Sequence, residues 1–274
     1  MTSTDPYRVT DQLDDAVLDA IATRLEARGR HPVFVRMLDE YLDAMRIDDA
    51  KAVIDLGCGT GVASRRIARR SGFSGHVTGI DRSPFLIDTA TRLAGDENLT
   101  SRIGFRVGDT LSLDFGAGHF DAVVAHTLIS HVESPTAQLV EIARIAKPGG
   151  SIGIFDGDYA SLTFGHPDPD RGKRDDEALI SAIVTNPCVM RQLPVLVRET
   201  GLQLVASFPY VLAEVGKADF WLPAIESFRK LMPAAGAMTE TEATAWADRL
   251  IQASESGVFF GASNYYGYVL RKPA

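Results

Sequence analysis

The chain has 274 residues, 28 Lys+Arg against 36 Asp+Glu and a net charge of −8, with 45 % hydrophobic and 23 % charged residues. These globular proportions exclude a fibrous repeat or a disordered chain, and the length suits one large domain or one domain with an elaboration. The acidic balance argues against a nucleic acid held on a broad basic face, no run reaches the ~20 apolar residues of a membrane span, and Cys58 and Cys188 make neither a disulfide framework nor a Cys-x-x-Cys metal site.

Met1 to Arg8 lacks the basic-then-apolar plan of a secretory signal, so a cytoplasmic location is expected. Leu13, Val17, Leu18, Ile21 and Leu25 recur at helical spacing and predict a helix over 11–28. A second helix starts near His31-Pro32 and carries Phe34, Met37, Leu38, Tyr41, Leu42 and Met45 on one side. Residues 1–49 are thus expected to form a helical cap ahead of a domain spanning 50–274. Strands are predicted at 51–56, 76–81, 102–107, 120–125 and 150–156, and helices at 61–70, 84–94, 135–146 and 176–200, the last broken near Asn186-Pro187. Such alternation predicts a Rossmann-like α/β fold, a parallel sheet with helices on both faces. Beyond it come a strand at 202–213, helices at 219–234 and 239–256, and a terminal strand at 257–271. Thr239 and Glu242 form a capping-box pattern, and Phe164 to Asp176 is expected to be a mobile surface loop.

Val53-Ile-Asp-Leu-Gly-Cys-Gly-Thr-Gly61 joins the first buried strand to the next helix. Glycines at 57, 59 and 61 permit a sharp turn and close approach of a ligand. A dinucleotide fingerprint needs Gly-x-Gly-x-x-Gly, but position 62 is Val, and no Gly-Lys-Ser/Thr ending marks a P-loop. Asp55 near that loop favours a ligand with a positive group. Asp81 closes the second strand, where an acid can accept from both ribose hydroxyls of an adenosine. Asp109, after Gly108, can accept from an adenine amine. These acids fit a cationic, phosphate-free nucleoside, a description that S-adenosylmethionine (SAM) meets.

The segments VIDLGCGTG, GIDRS, Gly108-Asp109, FDAVVAHTLISHV and RIAKPGGSIGIFD resemble class I SAM-dependent methyltransferases, most closely the ubiquinone/menaquinone-biosynthesis type that methylates small molecules. The resemblance is strong over about 50–156 and general elsewhere. It implies a seven-stranded sheet with the last strand antiparallel, and a helical lid insertion at 219–256. It further implies Asp55 near the methionine ammonium, Gly57, Gly59 and Gly61 along the methionine and ribose, and Asp81 on the ribose hydroxyls. Arg82 would flank the adenine, Asp109 would meet its amine beside Gly108 and Thr110, and His126 would sit by the sulfonium arm. Cys58 belongs to this cofactor site as a small buried residue, not a nucleophile.

Methyl transfer is an in-line displacement whose leaving group needs no proton, so alignment is the protein's main contribution and a base matters only if the acceptor must lose a proton. His126 and His131 flank the loop after the fourth strand, and each is either a base or a contact and packing residue. Asp156 and Tyr159, after the fifth strand, either bind and deprotonate an acceptor or belong to a polar loop. Tyr7, Phe34, Trp221, Phe228, Tyr265 and Tyr266 are candidates for the wall of an apolar acceptor pocket. The expected reaction is transfer of the SAM methyl to a C, N or O atom of a small, largely apolar or aromatic metabolite, giving S-adenosylhomocysteine, with no metal. A homodimer is compatible with this reading, whereas a membrane or nucleic-acid partner is not expected. Two rivals keep the cofactor: a cyclase or pericyclase-like enzyme that transfers no methyl, and a non-catalytic SAM-binding module. A nicotinamide oxidoreductase is disfavoured by Val62 and Asp55.

Overall fold

The computed structural model describes residues 5–274. A 3₁₀ turn at Pro6–Val9 precedes α1 (Asp15–Arg30) and α2 (Pro32–Ala44). The alternating part comprises β1 (Ala52–Leu56), α3 (Val62–Ala68), β2 (His76–Asp81), α4 (Pro84–Asp96), β3 (Ile103–Val107), β4 (Phe120–His126), α5 (Pro135–Ile145) and β5 (Ala146–Phe164). It is followed by α6 (Pro169–Ile183), α7 (Val189–Glu199), β6 (Gln203–Gly216), α8 (Trp221–Ala234), α9 (Glu240–Glu255) and β7 (Phe259–Arg271). The seven strands form one sheet in the order β3-β2-β1-β4-β5-β7-β6, parallel from β3 to β5 and antiparallel where β7 joins β5 and β6. The order reverses between β1 and β4, so the carboxyl ends of these strands open a crevice.

Local chemistry sets the helix starts. Asp14, Ser83 and Ser134 each accept a backbone N–H three residues on, and Thr239 with Glu242 makes the predicted capping box. β1 is buried on both faces through Val53, Ile54 and Leu56. One core layer joins α2, α3 and the α8–α9 pair to the sheet, and the other packs α5 and α7 on the opposite face. Gly153 of β5 matters here, since a Cβ would lie 2.4 Å from Met45 Sδ and 2.9 Å from Tyr41 Cε2. Its bare backbone lets α2 lie against the sheet.

Three stretches depart from expectation. β5 does not end at 156 but continues to Phe164, because β7 pairs with it as far as Thr163↔Ala262 and Phe164↔Gly261. The segment expected to be a loop, 164–176, already contains the first turns of α6: Asp168 caps Pro169 by accepting from Asp170 and Arg171 amides. Residues 176–200 belong to two helices, with the chain extended or turning between 184 and 188, around the predicted break.

Candidate functional site

The turn after β1 builds the floor. Gly57, Gly59 and Gly61 all have left-handed φ, at +62°, +52° and +79°. A Cβ at Gly57 would lie 2.6 Å from Leu128 Cδ1 and one at Gly61 2.7 Å from the Phe105 ring. The glycines are therefore needed for backbone hand and for packing against neighbouring side chains, a reason different from the ligand clearance expected of them. α1 is keyed onto this loop. Glu26 accepts from Thr60 Oγ1 at 2.6 Å and pairs with Arg65, and Gly29 and Leu25 approach Val62 and Gly59.

Two carboxylates meet at the loop. Asp55 is buried. Its Oδ2 accepts from the Ser64 amide at 3.0 Å and hydroxyl at 2.6 Å, while Oδ1 is buried with no partner among the described residues. Burial pushes its pKa up to about 7, against the pull of the Ser64 hydrogen bonds. A buried carboxylate oxygen without a donor calls for one from a ligand, and an ammonium supplies it with charge. Asp81 accepts from the Gly59 amide at 2.9 Å and the Ser83 amide at 3.0 Å, and burial raises its pKa too. Each of its oxygens keeps a lone pair for a hydroxyl donor.

One cavity runs over these groups, lined by Asp55, Gly57, Cys58, Gly59, Asp81, Arg82, Gly108, Asp109, Thr110 and His126, all drawn from the expected cofactor set. Gly61 alone of that set is not in the wall. Asp109 accepts from the Leu111 amide, and Thr110 donates to Gln138 Oε1 at 2.8 Å. Arg82 does more than flank a base: it donates to the Arg8 carbonyl and lies 3.6 Å from Asp11, so it ties down the N-terminal segment. Cys58 is buried and its thiol is pushed well above its ordinary pKa, mainly by burial, consistent with a non-nucleophilic residue.

The roof comes from the other end of the chain. Tyr7, Arg8 and Thr10 line the cavity with Arg24, Leu25, Arg28 and Gly29 of α1 and Phe34 and Leu38 of α2. Asp5 fastens this roof. Its carboxylate accepts from His131 Nδ1 at 2.9 Å and from the Thr185 amide and hydroxyl at 2.9 and 2.8 Å. Burial pulls the His131 imidazolium down, but the Asp5 charge and hydrogen bond more than offset it, and its pKa lies above the ordinary value. His131 lines the cavity beside Tyr7 (ring centroids 4.9 Å) and Tyr159 (5.8 Å).

The remaining candidates separate. His126 lines the cavity, but its Nδ1 is hydrogen-bonded to the Tyr41 hydroxyl at 3.0 Å and its ring lies flat on Phe155 at 4.7 Å. Burial, with Arg28 nearby, drops its pKa to about 3, so it is a poor proton acceptor near neutrality. For Asp156 the geometry favours the polar-loop alternative. It is fully buried outside the cavity wall, with both oxygens occupied by the Ser130 amide and hydroxyl and the Gly157 amide, and it pins the loop after β4. Tyr159 does line the cavity. Of the aromatic set, Tyr7 and Phe34 are in the wall and Tyr265 stands behind Phe34 at 5.1 Å. Trp221 and Phe228 lie in the core, and Tyr266 packs on the opposite face beside Tyr268. The α8–α9 pair, expected as a lid, rests on the extended strands and contributes nothing to the cavity wall. Asp5, Arg24, Arg28 and Thr127 were not anticipated. Asp5 and His131 stand far apart in sequence, and the two arginines read as an ordinary polar helix face.

Comparison with known proteins is consistent with this geometry. Residues 47–167 match a family described as a methyltransferase domain. The chain is 29 % identical over 251 residues to an uncharacterized 37.1 kDa protein in a transposon of Streptomyces fradiae, covering 91 % of this chain and 68 % of that one. It is 29 % identical over 185 residues to norajmaline N-methyltransferase of Rauvolfia serpentina, covering 66 % of this chain and 61 % of that one. A putative methyltransferase from Bacillus halodurans has the same fold, with a TM-score of 0.62 at 15 % identity over 86 % of this chain and 99 % of that one.

Proposed function

We propose that the chain is a class I SAM-dependent methyltransferase, in keeping with the methyltransferase-domain match over 47–167, and that it methylates a small, largely apolar or aromatic molecule held between the glycine loop and the N-terminal roof. The observation that carries this reading is the pair of buried carboxylates in one cavity, Asp55 with an unpartnered oxygen and Asp81 fixed by two amides. Asp55 would receive the ammonium of the cofactor, Asp81 its ribose hydroxyls, and Gly108, Asp109, Thr110 and Arg82 its base. Cys58, Gly57, Gly59 and His126 would line the rest. When bound, SAM supplies an electrophilic methyl carbon on a trivalent sulfur.

The chain's own task is then to align the acceptor and shield it from water. Tyr7, Phe34, Leu38, Val132 and Tyr159 give that chamber its apolar and aromatic walls. Where the acceptor must lose a proton, His131 takes it, with Asp5 as the positioning residue that holds the imidazole through Nδ1. Names among the relatives favour transfer over cyclisation. No helix among the described residues is long and apolar enough to cross a membrane. The deciding experiment incubates the purified protein with methyl-labelled SAM and a small-molecule extract. Label in an extracted compound, with stoichiometric S-adenosylhomocysteine, is expected. Cofactor binding without either product would overturn the reading.

A further inference from the structure

Resting on that reading, we propose that the acceptor carries an oxyanion, and that Arg24 and Arg28 hold it. Four arginines line the cavity. Arg8 pairs with Glu133 and Arg82 with Asp11, whereas among the described residues neither Arg24 nor Arg28 has an acidic partner. Arg28 Nη2 donates to Thr127 Oγ1 at 2.8 Å. The Arg24 guanidinium lies 4.7 Å over the Phe228 ring, and its Nη1 is buried with no acceptor among the described residues. A guanidinium taken out of water is costly unless an anion or several acceptors meet it. Arg24 and Arg28 are both half-buried and line one chamber a helical turn apart, where they form a positive seat whose planar forks suit a carboxylate or phosphate.

Position on the helix separates this seat from the cofactor. At about 100° per residue, Arg24 and Arg28 share one side of α1, while the pair Leu25 and Gly29, which meets the turn after β1, is centred about 100° round the helix from them. The arginines instead face Phe228, Phe34 and Thr127. Their charge is also felt at the Tyr265 hydroxyl of β7. The cavity is thus acidic under the glycine loop, through Asp55 and Asp81, and basic at the roof. An acceptor with an apolar or aromatic body and an anionic end fits that polarity.

The test uses S-adenosylhomocysteine-loaded full-length protein titrated with phenylacetate, phenyl phosphate and uncharged phenylacetamide. At least one anion is expected to bind about ten-fold or more tighter than the amide, the weight of one charge-assisted hydrogen bond. Arg24→Met keeps the apolar stem over Phe228, and is expected to bring that anion down to the amide's level while S-adenosylhomocysteine affinity stays unchanged. Whichever anion gains more identifies the seat as one for carboxylate or phosphate. Equal binding of all three, or of none, overturns the proposal. So does an equal loss of S-adenosylhomocysteine affinity in Arg24→Met, which would assign the arginine to the cofactor's own carboxylate. If the wild-type protein fails to bind S-adenosylhomocysteine at all, the reading of the cavity as a cofactor site fails first, and separately.

Discussion

The Asp5 carboxylate lies 2.9 Å from Nδ1 of His131, so a residue of the roof and a residue of the loop after β4 share one buried hydrogen bond. His131 also feels Asp156 and Arg28, with the rings of Tyr7 and Tyr159 beside it. Because its folded pKa is raised, the latch contributes fully below the ordinary value of about 6.5 and is lost as pH rises through the folded pKa. Thermal melts of wild type and Asp5→Asn should therefore differ most at mildly acidic pH and converge in alkali. For an acceptor that must be deprotonated, the basic form of His131 is the working one. The wild-type rate should climb through the raised pKa, and Asp5→Asn should move that limb to lower pH.

His126 is expected to behave in the opposite way. With its pKa near 3 it is neutral throughout the working range. His126→Phe keeps a ring against Phe155, and should leave the shape of the pH–rate profile above about pH 5 unaltered. His131→Asn should lose about 10²–10⁴-fold in rate. A profile that changes for His126→Phe would restore that side chain as the base.

Asp55 makes cofactor affinity depend on pH. Its pKa of about 7 in the cofactor-free protein means that an ammonium meets a carboxylate above neutrality and a carboxylic acid below it. Calorimetry should show SAM binding weaken on going from about pH 8 to about pH 6, by about ten-fold over the whole interval. Asp55→Asn should bind weakly at both. The sign for folding is reversed: a raised carboxyl pKa means that the empty protein gains stability as pH falls through about 7, relative to Asp55→Asn.

Asp81→Ala removes the acceptor of two loop amides along with the proposed ribose contact. At about 1.5–3 kcal/mol for a hydrogen bond to a charged group, S-adenosylhomocysteine affinity should fall about ten- to a hundred-fold. Circular dichroism would check that the fold survives. Unchanged affinity, or heat from a nicotinamide dinucleotide and none from S-adenosylhomocysteine, would refute the site.

Gly59→Val places a side chain at φ +52° with its Cβ 3.0 Å from Leu25 Cδ1. Left-handed backbone alone costs about 1–2 kcal/mol. A lower urea midpoint is expected together with loss of binding, and Leu25→Ala in the same chain should recover only the steric part.

Most of the architecture was legible because the elements announce themselves. Continuous apolar runs such as Val53 to Leu56 need burial on both faces, and Ser83, Ser134 and Thr239 stand where helices begin. The α6 start was hidden because Asp168-Pro169 lies in a stretch whose Pro, Asp and Gly read equally as a turn. The cofactor half of the site was legible for a related reason: Asp55, the glycines and Asp81 lie close in sequence at successive strand ends. The acceptor half was not. It depends on Asp5 reaching His131, on Arg24 meeting Phe228 and on Tyr41 meeting His126, contacts made only by tertiary packing. For His126 and Asp156 the choice between the two roles open to each was hidden for the same cause, since a partner from elsewhere in the fold decides whether a titratable group is available.

Thr127 has φ +57°, a conformation that a β-branched residue holds only under strain, and its hydroxyl accepts the Arg28 guanidinium. Glycine would relax that turn and would leave the arginine's head to wander. Thr127→Gly should accordingly melt higher yet discriminate less well among acceptors. At this corner endurance and selectivity oppose each other, and an engineer who hardened the protein by consensus rules would dull it.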